Sequence, residues 1–173
     1  MSQSALQLCL GPDFERLVPT VRRAHLGRIE LSGNVAVARG RGVGGLLAGL
    51  LRMPQSHAAC PLHVVGEHHA EKMIWRRDFA GRRMESHFRK DGPYLVEKMG
   101  SISLRMLPQV QSGRLHYTLM AARVGPIPLP GWLKPSLIAW EGEHDDDYEF
   151  EVEVGLPLIG RLIRYAGRLT LKS

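Results

Sequence analysis

Residues 147–154 read DYEFEVEV, and the alternation is unbroken. Tyr148, Phe150, Val152 and Val154 share one parity; Asp147, Glu149, Glu151 and Glu153 share the other. Successive side chains of a strand point to opposite faces, so this segment is an antiparallel strand with one face in a core and one in water. The same period recurs on both sides of it. It predicts a strand through Ile29, Leu31, Val35 and Val37, and further strands over 62–69, 72–79, 82–90, 93–99, 101–107, 114–122, 136–143 and 161–171. The connections between them are short, which implies hairpins. Ahead of the strands, Phe14, Leu17, Val18 and Val21 keep helical spacing, with Pro19 marking a kink or restart and His25 and Gly27 an ending. The expected fold class is α+β: a strongly curved antiparallel meander, half-barrel or barrel-like, with N-terminal helical cover.

The chain has 173 residues, 44% hydrophobic and 23% charged. That suits one globular domain spanning 1–173 and excludes a disordered or fibrous chain. Its longest apolar run, Val43 to Leu51, is nine residues, under half of the roughly 20 needed to span a bilayer as a helix. The net charge is +6, yet eight of the seventeen carboxylates crowd between Glu141 and Glu153. Half of that acidic run is the wet side of one strand. The basic side chains are spread along the chain and no nucleic-acid-binding motif appears, so nucleic acid is not an expected partner. Cys9 and Cys60 form no C-x-x-C pair, and the N-terminus lacks a basic segment followed by a long apolar one. These features read as reduced, structural thiols in a cytoplasmic protein.

The meander sorts the side chains of its middle strands onto faces. Turns at Ala80-Gly81 and Asp91-Gly92 place residue 75 opposite 86, and 86 opposite 97. One face then collects Trp75, Arg77, Phe79, Met84, Ser86, Phe88, Leu95, Glu97 and Met99. It is apolar apart from one Arg, one Glu and a small serine between them. A buried charge needs a partner, so Arg77 and Glu97 are expected to pair across Ser86. An apolar wall with a few convergent polar groups is also what a ligand pocket looks like. The candidate ligand-binding residues are therefore Arg77, Glu97, Ser86, Trp75, Phe79 and Met84, with no catalytic and no metal-binding residue assigned.

Other motifs carry less. Gly40, Gly42 and Gly45 match G-x-G-x-x-G, but antiparallel strands follow where a dinucleotide fold needs βα units. Those glycines read as a tight turn leading into a short apolar helix that Pro54 stops, and residues 43–53 offer a contact with a membrane surface. His63, Glu67, His68 and His69 resemble a metal set, yet they sit at a strand end where a zinc-protease motif needs a helix. They read as an exposed polar hairpin, so no metal and no cofactor is expected.

Five pieces taken together resemble one family. They are LGPDFERLVPTVRRAH (10–25), the W-x-R-x-F run at Trp75, Arg77 and Phe79, the E-x-x-G from Glu97 to Gly100, PLPGWLKP (128–135) and GLPLIGRLIRYAGRL (155–169). In order and spacing the chain resembles the bacterial domain-of-unknown-function family DUF4166 over residues 10–171. The resemblance implies no activity. It implies a domain that works beside catalytic or membrane parts, since the family also occurs fused to saccharopine-dehydrogenase-like or membrane segments.

The reading that follows is a non-enzymatic module binding a hydrophobic or amphipathic small molecule with an anionic group, in a pocket between the sheet and the helices. Two alternatives stand beside it. One is an enzyme using Glu97 as general base. The other is an interaction or accessory domain anchored through Trp132. Ligand identity and oligomeric state are not set by the sequence.

Overall fold

The computed structural model describes residues 3–172. The ten long strands do more than curve: they close. In chain order they are β1 (Arg28–Arg39), β2 (His57–His68), β3 (Lys72–Phe79), β4 (Arg82–Asp91), β5 (Tyr94–Met99), β6 (Ile102–Gln111) and β7 (Arg114–Val124), a two-residue β8 (Ile127–Pro128), then β9 (Ser136–His144), β10 (Asp147–Leu156) and β11 (Gly160–Lys172). Each pairs antiparallel with its neighbour, β11 pairs back onto β1, and β7 pairs with β9. The result is a ten-stranded up-and-down barrel. Only two residue pairs, Leu115 with Glu141 and His116 with Trp140, make the β7–β9 seam. Closing the sheet removes its edges, which an open sheet of this length would leave exposed.

DYEFEVEV is β10, with Tyr148 and Phe150 buried inside. Its wet side meets the basic outer side of β11. Glu151 pairs with Arg164 at 2.7 Å and Glu153 with Arg161 at 3.0 Å. The acidic run and the basic C-terminal strand are thus two halves of one cross-strand charge ladder.

Register confirms one predicted turn and shifts the other. Ala80 and Gly81 both sit at positive φ, and Trp75 faces Ser86 as expected. At the next hairpin the turn residues are Gly92 and Pro93, and Phe88, not Ser86, faces Glu97. Proline has no N–H for the ladder, so it takes the turn, while Gly92 supplies the positive φ. The shift is two residues, so every side chain keeps its face.

Helices close one end of the barrel. The N-terminal segment is three short pieces: α1 (Ala5–Leu10), a 3-10 turn (Gly11–Arg16) and α2 (Pro19–Ala24), with Pro19 restarting the helix. Asp13, in the 3-10 turn, pairs with Arg16. The pieces lie across the hairpin ends. The Ala5 amide donates to the His69 carbonyl (2.9 Å), the Val18 amide to Gly113 (3.0 Å) and the Thr20 amide to Glu143 (2.9 Å). At the opposite end stands α3 (Gly42–Leu50), between β1 and β2. Along β5 and β10 the inward side chains grow more exposed toward that end, while Val37 of β1, Phe79 of β3 and Ile163 of β11 stay buried there. On β10 Tyr148 is buried while Val152 and Val154 are half-buried; on β5 Leu95 is buried while Glu97 and Met99 are not fully so. The barrel is plugged at the N-terminal helices and opens toward α3.

Candidate functional site

The cavity lies inside the barrel, surrounded by strands, rather than between a sheet and its helices. Barrel closure is what moves it. Its volume is about 120 Å³. That is well above the ~10–15 Å³ one water needs and below the roughly 300 Å³ where drug-sized pockets begin. The space suits one ring or a short alkyl chain.

All six sequence-predicted residues point inward, and four of them, Arg77, Glu97, Trp75 and Met84, line the cavity. Ser86 lies fully buried beneath it and Phe79 is buried in the aromatic wall against Tyr165. Arg77 Nη1 donates to Ser86 Oγ at 2.7 Å and stands 3.9 Å from Glu97 Oε1. The pair is therefore real but loose, because the two-residue register shift places Glu97 four positions along the strands from where it would lie level with Arg77. The serine bond is the only hydrogen bond from that guanidinium among the described residues. A guanidinium carries five N–H donors, so most of Arg77's donors remain unused at an apolar cavity.

Trp75 fits because its two cross-strand neighbours, Gly66 and Ser86, are small. A Cβ on Gly66 would meet His68 and Ile29 side-chain atoms at 2.8–3.0 Å. The indole Nε1–H donates to His68 Nε2 at 2.9 Å, and His68 Nδ1 lies 2.9 Å from the Gly27 carbonyl. Indole nitrogen only donates, so His68 Nε2 accepts and the proton sits on Nδ1, directed at Gly27. Burial, helped by nearby His25, pushes the His68 pKa down to about 3, so the ring is neutral. His68 is thus no part of an exposed hairpin; it is 3% exposed and packed inside the barrel. His63 does stay outside, paired with Glu30 at 2.6 Å. No three His, Cys, Asp or Glu side chains among the described residues stand close enough to hold a metal.

A second polar group forms where the barrel closes. Glu141 of β9 faces His25, the residue that ends α2, at 2.5 Å, and accepts from the Tyr117 hydroxyl of β7 at 3.0 Å. Tyr148 of β10 lies beside the carboxylate. Burial would raise the Glu141 pKa, but His25 and these hydrogen bonds outweigh it and hold the carboxyl below the usual range. Burial and the Glu141 charge push Tyr117 and Tyr148 well above the usual phenol range. His25 stacks on Trp75 at 5.4 Å, and its Nδ1 is buried without a partner. Glu141 shares parity with Leu137 and Ala139, and Tyr117 with Leu115 and Leu119. That parity was the available signal; their meeting depends on the β7–β9 closure.

The other motifs resolve simply. A Cβ on Gly44 would lie 2.6 Å from the Arg161 carbonyl, so the glycine-rich turn brings α3 onto β11. Cys9 and Cys60 are free thiols, and burial raises both. Trp132 is exposed, as an anchor would be, but it coexists with an internal cavity. No helix among the described residues is long and apolar enough to cross a membrane. Compared with known families, the chain matches the model described as Domain of unknown function (DUF4166) over residues 17–169. No curated protein and no solved structure matched it.

Proposed function

The chain belongs to the DUF4166 family, and we propose that in this member the barrel is a binding module for a small amphipathic molecule with an anionic head. One observation carries the reading: Arg77, a charged side chain with most of its donors unused, lines an apolar cavity that opens at one end of the barrel. The other charges there do not compete equally. Glu141 already accepts from His25 and Tyr117. Glu97 lies too far from Arg77 for a hydrogen bond but close enough to bias the guanidinium's position. Trp75 and Met84 supply apolar wall. A carboxylate or similar anion meets Arg77 in charge-assisted, geometrically paired bonds that a neutral head cannot make.

Native mass spectrometry of gently purified protein is the first test, with an excess mass lost on denaturation as the expected result. Calorimetric titration with octanoate and with octanol then separates the head from the chain. Octanoate should bind at least about tenfold more tightly than octanol, and Arg77→Met should abolish that difference while octanol binding persists. Equal binding of the two, or no effect of Arg77→Met, would reject the anion role. A more stable Arg77→Met protein with no excess mass in either form would instead make the Arg77–Glu97 pair purely structural, since replacing buried ion pairs by apolar groups often stabilises.

A further inference from the structure

The exposed large apolar side chains are not scattered. Leu8 and Leu26 lie at the plugged end; the remainder, among the described residues, lie at or toward the open rim. α3 is built inside out. Gly44 and Ala48 face the barrel, while Leu46 and Leu50 are 76% and 78% exposed. Leu158 in the β10–β11 turn is fully exposed and Trp132, in the connection before β9, is 69% exposed. A soluble surface of this size rarely concentrates so much apolar area without a partner.

Charge indicates which partner. The open-end connections are residues 40–56, 80–81, 100–101, 125–135 and 157–159, and they contain no Asp or Glu. They carry Arg41, Arg52 and Lys134, and Arg82 adjoins them, donating to the Arg52 carbonyl at 3.1 Å. Arg41 and Arg52 are exposed and form no ion pair among the described residues. The plugged end is mixed in sign: Asp13, Glu15, Glu71, Asp145 and Asp146 stand there with Arg16, Arg22 and Arg23, and Asp13 and Glu15 are paired with Arg16 and Arg22.

We infer that the open rim docks on an anionic lipid bilayer, with Leu46, Leu50 and Leu158 in the acyl boundary, Trp132 at the headgroup level, and Arg41, Arg52 and Arg82 on lipid phosphates. Protruding leucines on a convex turn and helix need a partner without a fixed shape, and a fluid bilayer is one. Tryptophan favours the interface, and each arginine near an anionic surface adds electrostatic attraction. The cavity mouth then faces the lipid, but the inference does not require the cavity to bind anything.

Vesicle flotation tests it with the whole chain. The probes are phosphatidylcholine vesicles and vesicles about one-third phosphatidylglycerol. The wild type should float with the anionic vesicles and at least about tenfold less with the neutral ones, and raised salt should weaken it. L46S/L50S/L158S and, separately, R41E/R52E should each lower binding about tenfold or more. These positions are exposed, and unchanged near-ultraviolet circular dichroism verifies that each variant is folded. No flotation of the wild type, or flotation that the leucine variant leaves unchanged, overturns the inference. So does a dimer detected by light scattering and dissolved by L46S/L50S/L158S, which would make the rim a contact between two copies of the chain.

Discussion

His68 shows how one side chain converts burial into a pH response. Its proton is held on Nδ1 by the Gly27 carbonyl and its Nε2 accepts from Trp75, so the folded protein has no place for a second proton. The folded pKa, about 3, lies below the unfolded value, near 6.5. Above the unfolded value both states are neutral and the contribution to stability is complete. As the pH falls toward 3 the unfolded chain takes up a proton that the folded chain refuses, and stability of roughly 4 kcal/mol is lost. Glu141, whose pKa is also depressed, adds a loss of the same sign but only once the pH enters the carboxylate range. Urea midpoints measured from about pH 7 down to about pH 5 should therefore fall for the wild type and stay nearly flat for His68→Gln, which keeps an acceptor and a donor but does not titrate. Parallel slopes would mean that folded His68 takes the proton. Sequence parity alone put Arg77, Glu97, Trp75 and Ser86 on one inner face, because a single pair of hairpins carries them. It could not bring His25 to Glu141, 116 residues away, or Tyr117 to Glu141, because those contacts need the ends of the meander to find one another.

Among the elements, strands were easier to read than helices, for a physical reason. Period-two alternation needs only one wet face and one dry face, and β3 runs over the predicted 72–79. The β4–β5 turn is Gly92-Pro93, one residue on from the Asp91-Gly92 hairpin pair, because proline's missing N–H suits the turn position. Helix α1 is not legible from periodicity, because six residues are too few to show a period. Its signal was the capping box, Ser4 with Gln7, whose two reciprocal hydrogen bonds are present. Helix α3 was expected as an apolar helix; what its sequence hid is which face packs. Gly44 decides that, since its missing Cβ leaves room for the Arg161 carbonyl. Gly44→Ala should lift α3 from β11, costing about 1–3 kcal/mol and exposing residues 41–56 to limited proteolysis while the barrel stays folded. Leu46→Ala, on the exposed face, should change neither readout. Equal protease resistance of Gly44→Ala and wild type would show that α3 is held elsewhere.

At the level of the whole molecule, closure is the feature that alternation does not encode, because a curved meander and a barrel share the same local pattern. The closing contact is the β7–β9 seam, and it has only two residue pairs where β1 and β11 have eight. Glu141 sits on that seam opposite Leu115, and its carboxylate binds His25 from the end plug and Tyr117 from β7, with Tyr148 of β10 beside it. A short ladder is thus reinforced by one buried acceptor that joins the plug to both sides of the seam. Removing it leaves the buried His25 and the half-buried Tyr117 hydroxyl without their acceptor, at a cost of about 3–5 kcal/mol. The location of the damage is the stronger prediction. Local opening follows the weakest cooperative contact, so Glu141→Ala should speed amide hydrogen exchange first in β7 and β9 around residues 115–119 and 139–142, and in α2, while β1, β2 and β11 keep wild-type protection. Glu141→Gln, which retains one acceptor oxygen, should fall between the two. A uniform loss of protection across all ten strands would mean that the seam opens only with global unfolding, and that the barrel is a single cooperative unit with no weak side.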